Sequence, residues 1–199
     1  MSETAARLSP SPIRLPEPQK RGGLPLLSAL CHRHSVRSFT NQPISRETLS
    51  SLLWAAFGIN RRTTGDRTAP YWRHVMVIDL YVAMADGVLL YEANTHSLIS
   101  QIGADIRADT GSQDFVAGAP LELIYVAHGE RMDVPPEERR LYASVDTAFI
   151  GQNVYLFCAS EGLGTVFRGS FDGVKLAKLL GLADRQFVTF VQTVGYPRG

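Results

Sequence analysis

Cysteine is scarce. The two residues, Cys31 and Cys158, lie far apart, each among apolar neighbours in a candidate helix. They read as buried free thiols rather than a disulfide, which fits a reducing cytosol, and no Cys/His spacing describes a metal site. Net charge is nearly absent at +1, so no global field draws the chain to nucleic acid or to a membrane. No apolar run reaches the roughly 18 residues needed to span a bilayer. The N-terminus lacks a secretory h-region, and the cytoplasm is the expected location. There is no Gly-x-Gly-x-x-Gly fingerprint, so no separate nicotinamide domain is expected. A Ser-His-Asp context for hydrolysis and internal repeats are missing too.

What is present suits one core. The chain has 199 residues, 45% of them hydrophobic, enough for a single domain. Residues 1–23 are rich in Pro, Ser and charge, without periodicity, and read as a flexible or loosely draped arm. The domain is expected over residues 24–199. A short helix is predicted over 26–33. A second opens at Ser45 as N-cap, with Ile44 stapled onto Leu49, an apolar stripe through Leu52, Leu53, Ala56 and Phe57, and Gly58 as its stop. Residues 59–71 read as a loop. Residues 74–82 and 87–92 read as a hairpin around Ala85-Asp86-Gly87. Helices are predicted over 97–105 and 114–118, and a central strand over 121–127. Pro135-Pro136 opens a long helix to about Glu161 whose second half is apolar nearly all round, the mark of a core or subunit interface. A short helix over 174–180 and a strand over 186–194 follow. Helices do not alternate regularly with strands, so an α+β domain on a mixed sheet is expected.

The charge that exists is uneven. Seven arginines (Arg33, Arg37, Arg46, Arg61, Arg62, Arg67 and Arg73) face only Glu47 and Asp66 between positions 33 and 73. In Arg33-His34-Ser35-Val36-Arg37 two guanidinium forks and a hydroxyl fall within five residues, a set that suits phosphate oxygens. Asp105 and Arg107 read as an exposed pair. Asp146, Gln152 and Asn153 sit in the apolar helix and need partners there.

These segments occur in a telling order: Arg33-x-Ser35-x-Arg37-x-Phe39, then Gly162-Leu163-Gly164-Thr165 after the long helix, then Val194-Gly195-Tyr196-Pro197. Together with Ala85-Asp86-Gly87-Val88-Leu89-Leu90-Tyr91 and Gln152-Asn153-Val154-Tyr155-Leu156, the order resembles the nitroreductase family of FMN flavoproteins over most of residues 24–199. Arg67-Thr68-Ala69-Pro70 resembles its SagB-type branch.

The resemblance implies a largely antiparallel sheet surrounded by helices, in an intertwined homodimer with FMN at the interface. Arg33, His34, Ser35 and Arg37 would meet the flavin phosphate, ribityl chain and pyrimidine edge, a fixed cation there raising the reduction potential. Arg73 and His74 would be further contacts, although His74 stands where the branch carries Asn and Met76 where it carries Gln. Arg168, Gly169 and Ser170 would lie at the flavin ring, with a backbone N–H near N5. Arg198 would supply a last cation, in a phosphate site shortened by the early C-terminus. The implied activity is hydride transfer from NADH or NADPH through FMN to a small-molecule acceptor, by a ping-pong cycle without a side-chain acid or base. Two alternatives stay open: a SagB-type dehydrogenase of azoline rings in a peptide, and a degenerate flavin-binding protein without turnover.

Overall fold

The computed structural model describes residues 11–199. Four α-helices form where local chemistry starts and stops them: α1 (Leu26–His32), α2 (Arg46–Phe57), α3 (Pro136–Glu161) and α4 (Gly173–Leu180). The Ser45 hydroxyl accepts from Thr48 N–H at 3.1 Å and caps α2, whose Leu49, Leu52, Leu53, Ala56 and Phe57 are buried. Pro136 occupies the first turn of α3, where its missing N–H costs nothing, and Gly162 ends it at φ 70°. The Asp172 carboxylate caps α4 by accepting from Val174 and Lys175 N–H.

The sheet has seven strands: β1 (Ile13–Arg14), β4 (Ile78–Met84), β5 (Gly87–Glu92), β6 (Ser97–Ile102), β7 (Leu121–His128), β8 (Gly164–Arg168) and β9 (Gln186–Gly195). Their order is β1-β6-β5-β4-β7-β9-β8, and each ladder is antiparallel. β2 (Ile59–Arg61) and β3 (Asp66–Arg67) form a separate small hairpin. β7 is buried along its whole length and sorts its side chains by parity. Leu123 and Tyr125 join the core under α2 and α3, whereas Ile124 and Val126 join Leu176 of α4 on the other face. The chain is therefore α+β, with helices on both faces of an antiparallel sheet. No helix among the described residues is long and apolar enough to cross a membrane.

Several local expectations give way. Residues 97–105 do not form a helix: Ser97–Ile102 is β6, held by pairing with β5 through Tyr91↔Leu98 and Leu90↔Ile99. Residues 114–118 are a run of turns; a five-residue segment ahead of Pro120 cannot repay helix nucleation. The loop over 59–71 contains β2 and β3, closed where the Asp66 carboxylate accepts from Thr64, Tyr71 and Arg61. β4 starts at Ile78 rather than 74, because Trp72–His74 is a 3-10 turn. Cys31 is exposed, not buried, because α1 turns that face outward; Cys158 is buried as expected.

Residues 11–23 lie against the domain. Ile13 and Arg14 pair with β6, Leu15 is buried, and Gln19 N–H donates to the Ser51 hydroxyl at 3.0 Å. The first ten residues of the arm lie outside the described residues.

The polar core is organised around one ion pair. Glu122 on β7 is fully buried and meets Arg168 on β8 at 2.7 Å. The Thr193 hydroxyl donates to the other Glu122 oxygen at 2.7 Å, and Arg168 also donates to Thr110 C=O. Burial pushes the Glu122 carboxyl up to about 7, against the downward pull of Arg168 and Thr193. Removing one partner of such a pair strands the other charge. Glu122→Gln should lower the unfolding free energy by roughly 3 kcal/mol, read from urea melts, and Glu122→Leu with Arg168→Met should recover most of it. An unshifted midpoint for the single variant would dismiss the pair as a stabilising element.

Candidate functional site

After α1 the chain runs extended beside the free edge of β8, where Val36 N–H donates to Thr165 C=O at 3.0 Å. Phe39 then bridges Pro197, Thr40 N–H donates to Tyr196 C=O, and Arg198 N–H donates to Ser38 C=O. This clasp joins segments about 160 positions apart and needs small residues where backbones close in. A Cβ on Gly164 would come within 2.8 Å of Val36, and one on Gly195 within 2.7 Å of Pro120.

The clasp sets four of the expected groups in two pairs. Arg33 lies over the Tyr155 ring at 5.3 Å, and Ser35 Oγ is 2.8 Å from the Tyr155 hydroxyl. That hydroxyl also accepts from Phe167 N–H at 3.0 Å. When Tyr155 donates its own proton to Ser35, the Ser35 O–H is free for a ligand. Arg37 and Arg198, both exposed, flank one open cleft of about 790 Å³ with Phe39, Gln113 and Phe115. The Gln113 Oε1 atom is sealed from solvent and lacks a hydrogen-bond donor. His34 points outward, with Nδ1 2.8 Å from His32 C=O.

Arg73 and His74 belong elsewhere. Both hold positive φ, 45° and 58°, costly for residues with a Cβ. The turn persists because it is pinned. Asp146, buried in α3, accepts from Trp72 N–H at 2.9 Å, and Trp72 packs on Tyr142. His74 is 84% exposed and 3.5 Å from Asp66, so it is neither a core nor a sheltered histidine. Tyr142 and Tyr155 are thirteen residues apart on α3, which at 1.5 Å per residue separates the Trp72–His74 turn from the Arg33–Ser35 corner by about 20 Å. One chain alone does not gather both.

Comparison with known proteins resolves what this arrangement is. The model of the nitroreductase family matches residues 30–196. A nitroreductase-like protein of Methanocaldococcus jannaschii is 30% identical over 183 residues, covering 86% of this chain and 90% of that protein. The crystal structure of a nitroreductase-like protein from Ralstonia eutropha is 41% identical, with a TM-score of 0.91, over 98% of this chain and 93% of that one. The NADPH:FMN oxidoreductase of Vibrio harveyi, crystallised with NAD+, shares the fold at 21% identity and a TM-score of 0.66, over 87% of this chain and 69% of that one. The chain belongs to the nitroreductase family.

In this nitroreductase family member the Arg168 side chain lies inside the fold. It is not offered to a ligand: it is buried and spent on Glu122, Thr193 and Thr110. Gly169 and Ser170, just beyond β8, are exposed. Gly169 lines a separate cleft with Arg140, Phe187 and Phe190. A Cβ on Gly169 would meet Phe190 at 3.5 Å, ordinary contact, so nothing in the chain itself demands glycine there. Asp105 and Arg107 do pair, at 2.7 Å. Asn153 donates to Ala56 C=O at 3.3 Å, whereas Gln152 is exposed and not buried, because it lies on the outward side of α3. Tyr155, which ties Arg33 and Ser35 together, was not expected. Its one sequence signal is a hydroxyl within an apolar helix, which must find a partner.

The Asp146 carboxyl is raised by burial to about 6, only partly offset by the Trp72 N–H. The folded state thus holds this proton more tightly than the unfolded chain, and stability falls as pH rises from near 4 through 6. Asp146→Asn keeps an acceptor for Trp72 without the charge. It should be about 2 kcal/mol more stable than the parent at pH 8 and indistinguishable at pH 4. Thermal melts across that range check this, and a constant difference at all pH values would refute it.

Proposed function

We propose that the chain is an FMN-dependent NAD(P)H oxidoreductase acting as a homodimer on a small organic acceptor. The observation that carries this reading is the clasp: Arg33 and Ser35 share Tyr155, and Arg37, a few residues on along the same segment, flanks one cleft with Arg198 of the C-terminal segment, just beyond the stretch that matches the family. Two exposed guanidiniums and a hydroxyl are the donor set a phosphate and an electron-rich ring edge require. The cleft lies in the size range of cofactor sites, and the donor-less Gln113 oxygen beside it suits the ring or ribityl N–H and O–H groups. The residues present therefore fit FMN.

Arg33, His34 and Ser35 would hold the phosphate and ribityl chain, with Arg37 at the pyrimidine edge and Arg198 closing the corner. When bound, the flavin would supply hydride transfer at N5, from NADH or NADPH to the acceptor in alternate half-reactions. The protein's part is orientation and positive charge. Gly169 and Ser170 would offer backbone N–H groups at the ring, and Arg168 would act only by fixing the end of β8.

Exposed apolar faces support the dimer. Leu26, Leu27 and Leu30 on α1 are 64%, 75% and 45% exposed, and Leu141, Val145 and Phe149 on α3 are 59%, 43% and 47%. Such a stripe on a 26-residue helix calls for a partner surface. A second copy would also bring Arg73 and His74 of one chain towards the corner of the other, which the 20 Å separation denies within one chain.

Absorbance of the purified protein tests the reading. Flavin bands should be present, or appear after incubation with FMN, and bleach on anaerobic NADH or NADPH. Arg37→Ala should weaken FMN retention roughly tenfold or more without shifting the melting temperature of the apoprotein. Bands that resist both donors would point to another reductant, such as an azoline-bearing peptide, and no uptake of FMN at all would sink catalysis by this cofactor.

A further inference from the structure

The β4–β5 ladder stops before its strands do. Pairing runs from Met84↔Gly87 to Tyr81↔Leu90. Yet β4 continues back to Ile78, still paired with β7, and β5 continues to Glu92, still paired with β6. Beyond Tyr81↔Leu90 the two strands thus share no registered pair, and Ile78–Asp79 and Glu92 lie outside the ladder. A cavity of about 340 Å³ occupies the split. Interior backbone groups are normally paired, and a split of this kind is how a sheet makes room for something else.

Arg67 stands at this cavity. Its guanidinium lies 5.0 Å over the Phe57 ring and donates once, to Phe57 C=O at 3.0 Å. Its Nε is sealed from solvent without an acceptor. Among the described residues no carboxylate comes within ion-pair distance of it. A half-buried cation in that state carries a desolvation cost that an anion would offset. The other charges at the cavity are already engaged. Asp79 meets His128 at 2.7 Å, Glu92 accepts from Asn94 N–H at 2.9 Å, and Arg131 donates to Met76 C=O at 2.7 Å. The neutral polar groups of the lining are Tyr91 and Asn94, and its apolar part includes Phe57, Met76 and Ile78.

We propose that this split binds a small aliphatic monocarboxylate, its charge against Arg67 and its alkyl part along Phe57, Met76 and Ile78, which share one face of the sheet. Asp79 and Glu92 at the wall disfavour a dianion, which separates a monoacid from inorganic phosphate. The site does not depend on the flavin reading, since none of its groups belongs to the clasp.

Calorimetry of the protein as isolated, with hexanoate, hexanamide and inorganic phosphate, decides the matter. Hexanoate should bind once per chain and at least tenfold more tightly than hexanamide or phosphate. Any flavin absorbance should stay unchanged. Arg67→Gln should weaken hexanoate at least tenfold. Glu92→Gln, which leaves Arg67 untouched, should tighten it severalfold and keeps the test open if the first variant fails to fold. Equal binding of acid and amide, tighter binding of phosphate, no heat at millimolar hexanoate, or an indifferent Glu92→Gln would each overturn the proposal.

Discussion

The contact between Glu122 and Arg168 governs more than its own surroundings. It spans β7 and β8 across the intervening β9, and β8 is the outermost strand of its side. Residues 36–40 hang on β8 through Thr165, and the C-terminal segment is clasped to those same residues. An outer strand held by backbone bonds alone frays readily. Here it is tied inward by a guanidinium with three buried acceptors, so the cationic corner inherits a rigid backing. Arg168 braces the strand to which residues 36–40 are attached.

Much of the fold was legible because its signals are local. Ser45, Pro136, Gly162 and Asp172 each mark a helix end by a mechanism confined to a few residues. β7 was legible from an apolar run of strand length, although its one acid, Glu122, passed unremarked. β6 was not: Ser97–Ile102 carries apolar residues at spacings compatible with either period, and only its partner β5 decides between them. Cys31 illustrates the same limit, since the orientation of a seven-residue helix depends on what it packs against.

The corner itself was legible only in part. Arg33, Ser35 and Arg37 stand out as a cluster, but the place of Arg37 beside Arg198 follows from a long-range antiparallel contact that no window of sequence contains. Arg168 looked available because sequence shows a charge and not its partner. The Trp72–His74 turn is the reverse case. Nothing in its residue types announces positive φ at two successive side-chain-bearing positions, and the conformation exists because Asp146 and Tyr142 impose it from another element.

Both outer edges of the main sheet are covered by extended segments. β1 lies along β6 on one side, and residues around Val36 lie along β8 on the other. Open edges are templates for uncontrolled strand addition between molecules. The cover on β6 is only two residues long, with Ile13 itself 41% exposed. Solubility at high concentration therefore rests on a short cover strip, and a cleavage or fusion that peels Ile13 and Arg14 away would turn that flank into an aggregation seed while leaving the rest of the fold intact.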